Sequence, residues 1–296
     1  MRVLVLGKSG MLGRDVMDTF LEREFNVLGI DRKELDLEYP SRIPRVLKNA
    51  DPDIVINCAA YTNVDLAEKE REKAMRINRD SPGVLAETCN AFGIPLIHVS
   101  TDYVFDGRSS RPYKENDPVC PVNYYGLTKK EGEDAIRSNL EKHIIVRTSW
   151  LYGRHGKNFV KTILRLAAER SEIRVVADQF GSPTWAVELA RALLKVVETI
   201  WRTENKAPWG TYHFAGLGET SWYKFAEEIV NRAKKYQDLT VRRVVPISTD
   251  QYPTPATRPG RSTLDSTKIS ETFGVTLTPW EESLSLMIKE YYDENL

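Results

Sequence analysis

Met1–Gly13 reads MRVLVLGKSGMLG, and this stretch decides the fold. Arg2–Leu6 carries Val, Leu, Val and Leu in succession, as suits a strand buried on both faces of a parallel sheet. Gly7, Gly10 and Gly13 follow at three-residue spacing, and Arg14–Arg23 then reads as a helix. Strand, glycine turn and helix together form the context of a dinucleotide site. Glycine lets the backbone approach a pyrophosphate, whose charge sits at the helix N-terminus. Taken alone, the triplet is equally a tight strand-to-helix turn.

Further strands are expected at Asn26–Ile30, Asp53–Asn57, Ile94–Ser100 and His143–Arg147. Between them lie helical patterns at about Ser41–Asn49, Ala67–Ala91 and Tyr124–Ser138. This alternation predicts an α/β fold: a Rossmann-type doubly wound parallel sheet with helices on both faces. Ligands in such sheets bind beyond the C-terminal ends of the strands, where Gly7, Asn57 and Ser100 fall. From Leu151 the alternation loosens. Helices are expected at Asn158–Arg170, Thr184–Trp201, Ser221–Tyr236 and Pro279–Tyr292, with a short strand at Arg242–Val245. Lys206–Gly210 and the Pro- and Thr-rich Asp250–Ser262 read as loops. The expected division is a nucleotide-binding domain over 1–150 and a smaller mixed α/β substrate domain over 151–296, with about 184–215 packing back onto the first.

The chain has 296 residues, enough for a large core. Its 42 basic and 42 acidic side chains balance, so no surplus of positive charge points to nucleic acid or an anionic membrane. No apolar stretch approaches the roughly 20 residues of a membrane-crossing helix, and the N-terminal apolar run is too short for a signal peptide. Cys58, Cys89 and Cys120 are widely spaced and lack a CxxC pair. They read as small buried hydrophobes in a reducing cytoplasm.

Asp31 ends the second strand about 20 residues past the glycine turn, where an acid takes the adenosine ribose hydroxyls of NAD. Arg32 and Lys33 follow, and basic residues there suit the extra phosphate of NADP, so NADH and NADPH both stay open. Asp36 and Leu37 suit the edge and face of an adenine, and Ala60, Tyr61 and Thr62 follow the third strand. Tyr125 and Lys129 lie four apart, one turn along a helix face. An ammonium beside a phenol favours the phenolate and lowers the tyrosine's pKa, suiting Tyr125 to exchange a proton with an alcohol. The same pattern occurs by chance as a surface pair. Thr101 and Asp102 close the fourth strand, where a hydroxyl can stabilise a developing alkoxide or merely cap the strand. His98 reads as a core residue, and the remaining histidines suggest no metal set.

Together these motifs resemble the extended short-chain dehydrogenase/reductases. More narrowly, GKSGMLG, NCAAYTNVDLAE, STDYVFDG, NYYGLTKKEGE, RTSWLYG, NFVKTILRLA, DQFGSPT and TPATRPGRSTLD resemble the dTDP-4-dehydrorhamnose reductase family over nearly the whole chain. The resemblance implies NADH- or NADPH-dependent reduction of the keto group of dTDP-4-dehydro-L-rhamnose to dTDP-L-rhamnose, a sugar donor for cell-envelope polysaccharide. It implies Tyr125 as proton donor, Lys129 as its electrostatic and ribose-binding partner, and Thr101 as the hydroxyl that tunes the site, with Asp102 beside it. It implies cofactor contacts at Gly10, Met11, Leu12, Asp31, Asp36, Leu37 and Ala60–Thr62, and a substrate contact at Trp150. Arg258 is a candidate grip on the diphosphate, since a guanidinium pairs phosphate oxygens in a fork. Some members hold magnesium between acidic residues at a homodimer contact. No corresponding carboxylate cluster is visible in this sequence, so no metal ligand is assigned, and magnesium and the homodimer stay open. Two further readings remain: a reductase of another nucleotide-linked keto sugar, and a non-catalytic binding subunit like that of methionine adenosyltransferase. The motifs of the second half favour the reductases.

Overall fold

The computed structural model describes residues 1–203 and 206–293. Residues 204, 205 and 294–296, inside the expected 151–296 span, lie outside the described residues.

The first half is built from β1 (Arg2–Leu6), α1 (Met11–Leu21), β2 (Asn26–Ile30), α2 (Ile43–Ala50) and β3 (Ile54–Asn57). Three short helices follow, α3 (Val64–Ala67), α4 (Arg71–Met75) and α5 (Ser81–Phe92), then β4 (Leu96–Thr101), α6 (Tyr124–Asn139) and β5 (His143–Thr148). The second half carries β6 (Leu151–Tyr152), α7 (Phe159–Glu169), β7 (Glu172–Val176), β8 (Phe180–Gly181), β9 (Thr184–Trp185), α8 (Ala186–Thr203) and β10 (Gly210–His213). It ends in β11 (Thr220–Ser221), α9 (Trp222–Ala233), β12 (Arg243–Ile247), α10 (Thr267–Phe273) and α11 (Trp280–Asp293).

Six parallel strands form the main sheet in the order β10-β5-β4-β3-β1-β2. The chain order reverses between β1 and β3, and a crevice opens above the strand ends at that switch point. The apolar runs of the central strands are buried because helices cover both faces. α8 and α10 join α1 over one face, and α2, α5 and α6 cover the other. A separate core gathers α7, α9 and α11 around Trp185, Phe225 and Trp280.

Five expectations need correction. The single helix over Ala67–Ala91 is broken, with a π turn at Arg76–Asp80 between α4 and α5. Pro82 has no N–H to give the carbonyl of Asn78 four residues earlier, so the turn widens. The loop ending at Gly210 runs directly into β10, an edge strand whose sequence GTYH carries no apolar run. Glu172–Val176, not read as a strand, pairs in parallel with β12. Asp250–Ser262 is not simply a surface loop: Ala256 and Ser262 are buried, and the segment returns to the first half. Cys89 is buried and Cys58 half-buried, but Cys120 is exposed in the proline-flanked loop before α6.

Candidate active site

The glycine turn shapes one end of the crevice. Gly7 has φ of 85°, and its N–H donates to Ile30 O at 2.8 Å. A Cβ on Gly13 would stand 2.0 Å from Gly7 O, so α1 can rise this close to β1 only with glycine there. The crevice has a volume of about 940 Å³. Gly7, Gly10, Met11 and Leu12 line it, and so do Asp31, Arg32, Asp36 and Leu37. Ala60, Tyr61, Thr62, Thr101, Asp102, Tyr125, Lys129 and Trp150 complete the residues expected from the sequence. Lys33 and Arg258 do not line it.

Beyond the end of β2, Arg32 Nε donates to Asp36 Oδ2 at 3.0 Å, and Asp31 Oδ1 accepts from Lys33 N at 2.8 Å. One acid and one base thus stand side by side, which fits either nicotinamide dinucleotide.

The chemical end is organised by α6. Asn123 caps it, accepting from Gly126 N at 2.8 Å, and the absence of a Cβ on Gly126 lets the helix approach Tyr103 O. Tyr125, Lys129 and Glu133 follow at four-residue steps on its buried face. Tyr125 is 8% exposed and meets Tyr103 edge to face at 5.7 Å. The sequence reading expects its pKa to fall; here burial outweighs the Thr101 hydroxyl and pushes it up. The phenol is therefore held protonated, the state a proton donor needs.

Lys129 Nζ donates to Val99 O at 2.8 Å and lies 3.0 Å from His98 Nε2. Burial pushes the lysine down to about 8, with Glu133 acting the other way. Arg147 on β5 grips Glu133 through Nε at 2.9 Å and Nη2 at 2.6 Å. Burial opposes ionisation of Glu133, but the arginine overrides it and holds the carboxyl at about 2. Thr101 Oγ1 donates to Asp102 Oδ1 at 3.0 Å, and burial pushes Asp102 up to about 6 against the hydroxyls of Ser262 and Thr101.

Trp150 takes a left-handed backbone, φ 45°, and stacks on Trp222 at 3.5 Å. Arg258, expected at a diphosphate, instead forks onto Asp65. Sequence reasoning missed His98 as a neighbour of Lys129: an apolar strand hides which helix a polar member faces. It also missed the grouping of Asp15, Asp18 and His155, whose donor atoms lie within 4.8 Å of one another. Arg154 already occupies that group, donating to Asp18 Oδ2 at 3.1 Å and to His155 Nε2 at 3.0 Å. Burial holds Asp15 at about 7, largely protonated below neutrality. Magnesium prefers ionised oxygen ligands, and this set with its own guanidinium does not fit it.

The family described as RmlD substrate binding domain matches residues 1–293. A dTDP-4-dehydrorhamnose reductase of Burkholderia thailandensis is 41% identical over 299 residues, covering 98% of this chain and 99% of that protein. The chain belongs to the dTDP-4-dehydrorhamnose reductase family. Among solved structures, a family member from Clostridium acetobutylicum superposes with a TM-score of 0.91 at 38% identity, covering 98% of this chain and 99% of that one. One from Bacillus anthracis, solved in complex with NADP, gives a TM-score of 0.90 at 38% identity and the same coverage. The fold described above is thus shared with these family members.

Proposed function

We propose that this protein is an NAD(P)H-dependent reductase that converts dTDP-4-dehydro-L-rhamnose to dTDP-L-rhamnose. One observation carries the reading: the glycine turn, Thr101, Tyr125 and Lys129 share one crevice, in a chain whose near-full-length relatives bear that reductase name. That naming also favours an enzyme over a binding subunit.

Gly7, Gly10, Met11 and Leu12 would hold the pyrophosphate, with the N-terminus of α1 facing its charge. Asp31, Arg32, Asp36 and Leu37 would hold the adenosine, and Ala60, Tyr61 and Thr62 the backbone between. A nicotinamide held there would supply the hydride that the carbonyl carbon accepts. Tyr125 gives the carbonyl oxygen its proton, and Thr101 turns its one hydroxyl proton from Asp102 to the same oxygen as charge develops there. Lys129 binds ribose hydroxyls and, taking up a proton as negative charge develops beside it, stabilises the phenolate left behind. Asp102 orients Thr101 and touches the sugar. Trp150 offers the sugar nucleotide a ring held by Trp222, and Arg258 positions the loop nearest the diphosphate.

We read 1–150 with about 184–215 as the cofactor unit and the rest of 151–296 as the sugar-nucleotide unit. Among the described residues no helix is long and apolar enough to cross a membrane, and a cytoplasmic site of action suits substrates of this kind. The test is loss of NADH or NADPH absorbance with the dTDP-4-keto sugar supplied by its upstream enzymes. Tyr125→Phe should cut turnover by about 10²–10⁴-fold while cofactor affinity stays within about twofold. Turnover like the parent's in that variant would remove Tyr125 from its role.

A further inference from the structure

Lys129 meets one end of a chain of two buried polar side chains that hydride transfer does not itself require. Asn57 ends β3, and His98 lies beside it in register on β4. Both are almost wholly enclosed, at 0% and 1% exposure. Their polar atoms form a chain. Ala59 N donates to Asn57 Oδ1 at 3.0 Å. Asn57 Nδ2 lies 3.1 Å from His98 Nδ1. His98 Nε2 lies 3.0 Å from Lys129 Nζ, which also donates to Val99 O.

The direction of this chain follows from its first link. A side-chain amide has one oxygen, and Ala59 N–H fixes it on the side away from the imidazole, so the NH₂ group faces His98. His98 Nδ1 must then accept. Burial pushes the His98 pKa well below its ordinary value, so the ring carries one proton, on Nε2. That N–H faces Lys129 Nζ. An ammonium has three donors and no acceptor, and here it would set donor against donor in a site closed to water. A neutral amine offers a lone pair to Nε2–H, keeps its own bond to Val99 O, and leaves every atom of the chain satisfied.

We propose that Asn57, by fixing His98 as its Nε2–H tautomer, makes His98 a donor to Lys129 Nζ and so holds Lys129 as a proton-exchanging amine rather than a permanent cation. The functional part of this rests on Lys129 belonging to the catalytic site; the tautomer does not. Asn57 and His98 are positioning residues, acting through the lysine. Among the described residues, Tyr125 and Glu133 share the buried face of α6 with Lys129, Arg147 on β5 pairs with Glu133, and Cys58 beyond β3 and Asp102 beyond β4 line the same crevice. Glu133 is the group that favours the ammonium, and its charge is already shared with Arg147. The hydrogen-bond chain therefore adds to burial in the same direction.

Long-range ¹H–¹⁵N spectra of the ¹⁵N-histidine-labelled protein read the tautomer directly. A protonated Nε2 and a bare Nδ1 on His98 are expected; a bare Nε2 would overturn the proposal. Titration of Lys129, followed through its ¹³Cε shift, supplies the second measurement. Asn57→Leu removes the amide that fixes the ring, and Asn57→Asp accepts from both Ala59 N–H and a reversed Nδ1–H. Each should raise the Lys129 midpoint by about one pH unit or more and move the matching limb of the kcat/KM profile. Asn57→Leu does so without adding a charge. An unchanged midpoint in a folded variant sinks the idea, and the tautomer spectrum of the parent decides the matter if Asn57→Leu fails to fold. Failure of the reductase reading is separate: the parent protein would then oxidise neither nicotinamide with the keto sugar, whatever tautomer His98 holds.

Discussion

Arg258 and Asp65 are joined by two parallel hydrogen bonds, Nη1 to Oδ1 at 2.6 Å and Nη2 to Oδ2 at 2.7 Å. Asp65 sits on α3, and Arg258 comes from the long loop after β12, so the pair straps the second half of the chain to the first. Ala256 N donates to the same carboxylate, and Asn123 at the head of α6 donates to Thr257 O. The fork that the sequence reading offers to a diphosphate is thus engaged within the protein.

A strap predicts coupling between its ends. Arg258→Ala and Asp65→Ala should each destabilise the protein by about 1–2 kcal/mol, and the double variant by little more than either alone. Arg258→Lys should behave like Arg258→Ala, because an ammonium cannot fill the fork. Urea midpoints of the three variants form the cycle. Simple additivity would show that the pair contributes nothing.

The parallel strands are legible in the sequence because burial on both faces leaves unbroken apolar runs, as in Val3–Leu6 and Ile54–Ile56. Tyr125 and Lys129 are legible because four residues make one helical turn. What is hidden is what depends on distant chain. β10 is an edge strand with a polar sequence, and only the exposed edge of β5 gives it a partner. The π turn needs both Pro82 and the side chain of Asn78, which binds Tyr61 O and Thr128 Oγ1. Arg258 reads as a phosphate ligand by residue type, and its actual partner lies 193 positions away.

Glu133 predicts an acid-sensitive core. Its carboxyl, ordinarily near 4.5, is held at about 2 by Arg147. The folded protein therefore releases this proton more readily than the unfolded chain does. The resulting stability is fully present above pH 4.5 and is lost as pH falls from there toward 2. The loss should be about 2–3 kcal/mol by linkage. Glu133→Gln leaves Arg147 buried without a counter-charge and should cost about 3–5 kcal/mol at pH 7, but its stability should fall less steeply with acid. Denaturant midpoints between pH 7 and 3 make the comparison, and parallel slopes would refute it.

Asp15 has the opposite sign. Burial raises it from 3.8 to about 7, and its Oδ2 is buried without a hydrogen-bond partner. The folded state holds this proton longer than the unfolded chain, so stability declines as pH rises from 3.8 and the decline is complete above about 7. Asp15→Asn should therefore raise stability by about 1–3 kcal/mol at pH 8 and by nearly nothing at pH 4. Thermal melts in the presence of a chelator at both pH values test this. A gain of equal size at pH 4 would assign it to packing rather than charge.

Gly181 and Trp150 give the sharpest test of the substrate end. Trp150 is stacked on Trp222 with an interplanar angle of 7°, and its indole also runs across Gly181. A Cβ at position 181 would stand 2.6 Å from Trp150 Cε2 and 2.7 Å from Nε1, inside any tolerable contact. The ring cannot retreat, because Trp222 lies against it and Phe159 packs on Trp222 at 4.5 Å. Gly181→Ala must therefore push the indole toward the crevice or break the stack. Either outcome disturbs the proposed sugar-nucleotide contact while leaving the glycine turn untouched. We expect KM for the sugar nucleotide to rise about tenfold, equivalent to about 1.4 kcal/mol, with KM for the nicotinamide cofactor unchanged and tryptophan emission shifted. If both KM values rise together, the substitution has deformed the whole crevice; if neither moves, Trp150 does not touch the sugar nucleotide.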